Sequence, residues 1–232
     1  MKKSIVSALI VGVGLLSFNS FAQEAKEGGE EAKKTRPVII KFKSPSKFTI
    51  EKVRAPELRS DRLNGATRLT RENWLQLHTA FGIKGGDKTA WADDIEVSWK
   101  VFIPANVSAK QRPMLLEKTV KYLECPKEIN DIPLSLYFRP SFVERYLING
   151  LNQSDIAVAL EVKVGGQPAY YAKGKSEIYL TAGGKLPPKI YWDIPQDKQH
   201  TIANKDTALL NKAETPFVNV ESDKFLTIKK EE

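Results

Sequence analysis

From Pro37 onward, apolar and polar side chains alternate with a period of two, the pattern of strands with one buried face. Val38, Ile40 and Phe42 alternate with Ile39, Lys41 and Lys43. Phe48, Ile50 and Lys52 follow after Pro45, which predicts two first strands joined by a turn at Ser44-Pro45-Ser46. Between Asn73 and Ile83 two patterns compete: Trp74, Leu77, His78 and Phe81 fit a helical stripe, and Leu75, Leu77, Thr79 and Phe81 fit a strand. The strand is favoured because the clearest strand of the chain comes next. There Ile95, Val97, Trp99, Val101 and Ile103 point one way, and Glu96, Ser98, Lys100 and Phe102 the other. With Gly85-Gly86-Asp87 between them, the two segments are expected to form an antiparallel pair with a long loop.

Strand-like runs continue at Leu115–Glu124, Ile132–Phe138 and Ile156–Val164. Gly165-Gly166 closes the last of these as a short hairpin loop, with Ala169–Ala172 as the return strand. Glu177–Leu180, Lys189–Trp192 and Phe225–Ile228 complete the set. One helix interrupts them. Ser141 is its expected N-cap, Glu144 completes a capping box, Phe142, Val143, Tyr146 and Leu147 form its apolar stripe, and Gly150 stands at C′. A second short helix is expected over Thr207–Lys212. About nine strands with one or two short helices predict an all-β fold, an antiparallel β-sandwich, because a parallel sheet would need helices between most strands.

Upstream of Pro37 the pattern changes twice. Lys2 and Lys3 precede an uncharged apolar run from Ile5 to Phe18, and Ser20-Phe21-Ala22 places small residues where a signal peptidase cuts. Residues 1–22 therefore read as a secretory signal peptide, too short in its apolar run for a comfortable membrane span. Residues 23–36, with no apolar side chain larger than Ala, read as a flexible charged linker. Residues 37–232 read as a single β-sandwich domain. The expected location is outside the cytoplasm, in the periplasm or at the surface of a Gram-negative cell, with no stable membrane span after cleavage.

Composition sharpens this only a little. The formal charge of the full chain is +8. The basic excess is scattered, and that argues against a nucleic-acid partner, which would need a clustered patch. Cys125 is the only cysteine. It reads as a small buried hydrophobe before Pro126, and no intrachain disulfide can form.

Candidate chemistry is sparse. His78 and His200 have no metal-ligand spacing to a cysteine or to each other; His78 reads as a core or rim residue and His200 as loop surface. No G-x-S-x-G, H-E-x-x-H or P-loop pattern occurs. Asp93-Asp94 lack the spacing of a calcium loop and read as a turn before a strand. No enzyme activity and no cofactor are expected. The remaining leads are side chains suited to contact. Trp91, Tyr170, Tyr171, Tyr191 and Trp192 lie near turns or strand ends. Adjacent aromatics on a strand face opposite sides, so one of each neighbouring pair should point outward, where it can stack on sugar or anchor a protein. Residues 55–71 form a basic loop, whose Arg59 and Arg62 are candidate contacts for an acidic partner.

The stretch NWLQLHTAFGI, a loop, then WADDIEVSWKVFIP (Asn73–Pro104) resembles small exported proteins of Akkermansia and related Verrucomicrobia, encoded beside type IV pilus-like machinery. The resemblance implies an immunoglobulin-like fold and a pilus-associated role. The chain departs from a pilin in having neither the processing site nor the long apolar N-terminal helix, so it implies an accessory and not a building subunit. Three function classes follow. The favoured one is a non-catalytic interaction module with envelope, pilus or secretion components as partners. The second is a carbohydrate-binding sandwich for mucin or cell-wall glycan. The third is a hydrolase with an unrecognised site.

Overall fold

A computed structural model describes residues 37–42, 48–56, 73–86, 88–106, 110–127, 129–147, 156–171, 175–181, 194–201, 205–220 and 226–229. These residues lie in the compact unit Thr35–Glu232. The predicted signal peptide and charged linker, and the loop with Arg59 and Arg62, lie outside them.

The described chain builds two antiparallel sheets and one main helix. Sheet A contains β1 (Val38–Phe42), β2 (Thr49–Arg54), β3 (Asn73–Gly85), β6 (Ile132–Phe138) and β10 (Leu209–Asn211), in the order β1-β3-β6-β10 with β2 also on β3. Sheet B contains β4 (Trp91–Ile103), β5 (Met114–Pro126), β7 (Ala157–Val164), β8 (Gln167–Pro168) and β9 (Glu177–Thr181), in the order β5-β4-β7-β8 with β9 also on β7. The arrangement is a general β-sandwich.

The two strongest alternations become the central strands. In β4, Ile95, Val97, Val101 and Ile103 are fully buried and Trp99 is nearly so. In β3, Leu75, Leu77, Phe81 and Ile83 are fully buried. Both strands face one core that also takes in Leu116, Leu134, Leu136, Val158 and Leu160. The expected β3–β4 hairpin is not formed. β3 pairs with β1, β2 and β6, whereas β4 pairs with β5 and β7. Gly85 and Gly86, with φ of 83° and 74°, carry the chain from one sheet to the other through backbone that side chains disfavour. Each strand then has a neighbour on both edges and a buried face, which a two-stranded ribbon could not supply.

β1 and β2 are likewise not a hairpin. β1 pairs with Phe81–Gly85 and β2 with Asn73–His78, so both lie along one edge of β3 as two pieces of an interrupted edge strand. Helix α1 (Pro140–Tyr146) starts two residues earlier than predicted, with Arg139 and not Ser141 at the N-cap and no side-chain cap bond. Pro140 sets this start: it lacks an N–H that the first turn does not need, and it forces Arg139 to remain extended. The predicted stripe of Phe142, Val143, Tyr146 and Leu147 is buried, with Phe142 stacked on Phe138 at 5.1 Å. Gly150 lies outside the described residues.

The helix expected over Thr207–Lys212 is a strand, β10, flanked by 3-10 turns at Lys205–Thr207 and Lys212–Glu214. Leu209 and Leu210 pair with Phe138 and Tyr137, so the open edge of β6 overrides local preference. Asp93 and Asp94 stand inside β4, not in a turn before it. Ile228 bridges Tyr122 on the edge of β5, close to the predicted strand Phe225–Ile228.

Candidate functional site

The Gly165-Gly166 turn prepares one corner of the sandwich. Both glycines have positive φ, 56° and 75°, as a two-residue turn between right-twisted strands requires. The return strand is shorter than expected: Lys163 pairs with Pro168 and Val164 with Gln167. Ala169 still donates its N–H to the Val162 carbonyl at 2.9 Å, and the chain then leaves sheet B. The Tyr170 N–H donates to the Val38 carbonyl at 3.0 Å, and the Tyr170 carbonyl accepts from the Ile40 N–H at 2.8 Å. One residue thereby ties sheet B to the edge of sheet A.

Alternation along this segment aims the side chains. Ala169 is buried, Tyr170 is exposed, and Tyr171 is partly buried against the core. Trp91 opens β4 opposite Pro126. Its neighbour Ala92 faces inward and Trp91 is left 49% exposed. Lys127 donates to the Thr89 hydroxyl at 3.0 Å, and that hydroxyl donates to the Trp91 carbonyl at 2.7 Å. Trp91, Tyr170, Lys127, Asp93, Gln167 and Val164 line one concavity of about 510 Å³. Its described lining includes two aromatic side chains, a lysine, an aspartate and an amide, a composition suited to holding a ligand by stacking and hydrogen bonds.

Of the residues singled out from sequence, Trp91 and Tyr170 thus come together, and Tyr171 turns inward. Tyr191, Trp192, Arg59 and Arg62 lie outside the described residues. His200 is more enclosed than a loop-surface residue: its N–H donates to the Pro113 carbonyl at 2.9 Å, and its ring meets Tyr146 edge-on at 5.5 Å. Cys125 is buried, and desolvation pushes its thiol up to about 12.

Sequence reasoning missed a polar cluster on the outer face of sheet A. Gln76 Nε2 donates to Ser135 Oγ at 2.9 Å and to the Tyr137 hydroxyl at 3.2 Å. His78 Nδ1 lies 3.0 Å from Ser135 Oγ. Burial lowers the His78 pKa against the opposing pull of Glu51 and Asp131. Burial raises that of Tyr137, and its hydrogen bond with Ser135 opposes the rise. Ser135 is only 5% exposed, which encloses its hydroxyl between Gln76 and His78. The signal available in sequence was the every-other polar row Gln76, His78 in β3. Its partner row in β6 was masked by the apolar run around Ser135. Among the described residues, no group of three or more His, Cys, Asp or Glu side chains could hold a metal ion, and no helix is long and apolar enough to cross a membrane.

A family model matches residues 39–232. Among solved structures, the crystal structure of a protein from Akkermansia muciniphila aligns with a TM-score of 0.65 at 18% sequence identity, covering 85% of this chain and 96% of that one. That likeness shows a shared fold. No curated protein matches.

Proposed function

The chain belongs to the family whose model it matches, and from that premise we propose that it is an exported, non-catalytic interaction module of the cell envelope, an accessory to type IV pilus-like machinery. The observation that carries this reading is the convergence of Trp91 and Tyr170 at one open corner. Large aromatics left exposed beside a concavity are the usual anchors of a binding surface. The enclosed hydroxyl of Ser135 supports a structural role for the His78–Ser135 pair, and the Trp91 concavity is lined by no histidine or cysteine. The pilus link rests on the resemblance of Asn73–Pro104.

The test is an affinity capture from envelope extract of the native host with the purified protein and its Trp91→Ala/Tyr170→Ala variant. Pilus or secretion components retained by the first and lost by the second are the expected result. Retention unchanged by the double substitution removes the corner as the docking site, and absence of such components removes the pilus assignment.

A second reading, glycan binding, is favoured by the same two aromatics standing beside Gln167 and Asp93. A pyranose would stack its apolar face on indole or phenol and hydrogen-bond to the amide and carboxylate. Retention of mucin or peptidoglycan fragments that Trp91→Ala abolishes would place this reading first. Turnover on a glycosidase and protease substrate panel would overturn both.

A further inference from the structure

The outer edge of β5 carries an occupant supplied by the chain itself. On one side β5 pairs with β4 along its length. On the other, Ile228 bridges Tyr122 in antiparallel register. The Leu123 N–H donates to the Thr227 carbonyl at 3.0 Å, and the Lys229 N–H donates to the Lys121 carbonyl at 2.8 Å. Two such bonds flanking a bridged pair are the ladder pattern of antiparallel strands, so residues 226–229 lie on sheet B as one more strand would.

The side chains of this short segment follow the period of two. Leu226 and Ile228 are partly buried and pack against the main core, whereas Thr227 and Lys229 are exposed. Lys229 Nζ donates to Asp94 Oδ1 at 3.0 Å, on the strand beyond β5. Asp94 is held at a φ of 48° inside β4, and its carbonyl accepts from the Gly165 N–H at 3.1 Å. Left-handed backbone inside a strand costs energy, and aspartate is among the few residues that tolerate it. Backbone strain of this kind concentrates at functional sites and ligand clamps.

The grip on the segment is light. The Lys229–Asp94 pair is 48% and 67% exposed, and water screens such a pair. Both apolar side chains are only partly covered. A sheet edge held in this way remains a template for another strand. Main-chain bonds on such an edge supply affinity, and the places taken by alternate side chains supply selectivity.

We propose that the β5 edge at Lys121–Leu123 is a strand-addition site for an extended polypeptide segment with two apolar side chains two positions apart. Residues 226–229 are its occupant in cis, and the partner segment replaces them. None of Lys121, Leu123 and Leu226–Lys229 lines the Trp91 concavity, so the inference goes beyond the docking corner and does not depend on it.

The probe is a fluorescent synthetic peptide with the sequence of residues 224–232, KFLTIKKEE. Its anisotropy is followed as purified parent protein or a Leu226→Asp/Ile228→Asp variant is added. The two charges evict the strand held in cis. The peptide is expected to saturate the variant and to bind it at least about tenfold more tightly than the parent, where the tethered strand competes at an effective concentration of about a millimolar. The Leu123 amide should exchange faster in the variant than in the parent, and added peptide should restore its protection. A peptide with aspartate at both apolar positions should not bind. Lys229→Pro deletes one donor, keeps both apolar side chains and buries no charge; it should bind the peptide more tightly than the parent as well. The proposal is overturned if the parent binds the peptide as tightly as both variants, if the aspartate peptide binds equally, if peptide leaves Leu123 unprotected, or if no saturation is reached by about 1 mM protein.

Discussion

Tyr170 bridges Ile39 in parallel across the two sheets, with one hydrogen bond given to Val38 and one taken from Ile40. The residue that displays the exposed phenol at the candidate site is therefore also a backbone tie between sheets. Its two roles can be separated. Tyr170→Ala keeps the backbone donor and should change stability by no more than about 0.5 kcal/mol while removing ligand capture. Tyr170→Pro deletes the N–H and should cost at least about 1 kcal/mol. Urea denaturation of the two variants measures the difference, and equal midpoints would show that the bridge contributes nothing.

Gly82 has no room for a side chain. A Cβ there would press on the Ile129 carbonyl and on the Asn130 Cα at 2.8 Å, both backbone atoms that cannot swing aside. Gly82→Ala should therefore destabilise by about 1–3 kcal/mol, the usual cost of overpacking. At Gly165, by contrast, the added Cβ meets open space and only the positive φ opposes it. Gly165→Ala should cost about 1 kcal/mol. A thermal shift larger for Gly165→Ala than for Gly82→Ala would contradict this ordering.

Stability should depend on pH through His78. Its folded-state pKa lies below the ordinary value of 6.5, first because of burial, with Glu51 and Asp131 opposing. Between the folded and unfolded values the unfolded chain binds a proton that the folded chain does not, so stability rises with pH across that window. This contribution is fully present above about 6.5 and is lost as pH falls through the folded value. The urea midpoint should drop from pH 7.5 to pH 5.5 (an interval of about 2 units around the ordinary histidine value), and His78→Gln should flatten the drop. An identical slope in the variant would assign it to other groups.

Cys125 should be unreactive in the folded protein. Its thiol is buried, donates toward the Pro126 carbonyl at 3.7 Å, and is pushed up to about 12 by desolvation. Little thiolate exists near neutral pH, and alkylation needs the thiolate. Iodoacetamide should label the native protein at least about tenfold more slowly than the urea-unfolded chain. Comparable rates would mean that the end of β5 opens readily.

Trp99→Ala should be the most costly single truncation among these positions. The side chain is fully enclosed at the centre of β4, between β5 and β7. A loss of about 3–5 kcal/mol is expected from the deleted contacts and the cavity left behind. A urea midpoint close to the parent's would show that the core refills the space.

Local alternation was enough to mark β4 and β7 as strands and to set which of their faces is buried. Period-two alternation is a local property, and each side chain of β3 and β4 carries its own transfer free energy whatever its partner. It also required one of Tyr170 and Tyr171 to face outward, because adjacent side chains on a strand face opposite sides, and the fold chose Tyr170. Which strands pair was settled by contacts between distant segments. The alternation in Asn73–Gly85 and Trp91–Ile103 satisfies a hairpin as well as two facing sheets, and the choice depends on neighbours from β6 and β7 far along the chain. The same long-range pairing turned Leu209–Asn211 into a strand on β6 against its helical spacing. It also brought Trp91 and Tyr170 to one concavity, across a separation that no local pattern records. Strand identity follows from burial summed along a segment, whereas a site follows from contacts between segments, and only the folded chain fixes those.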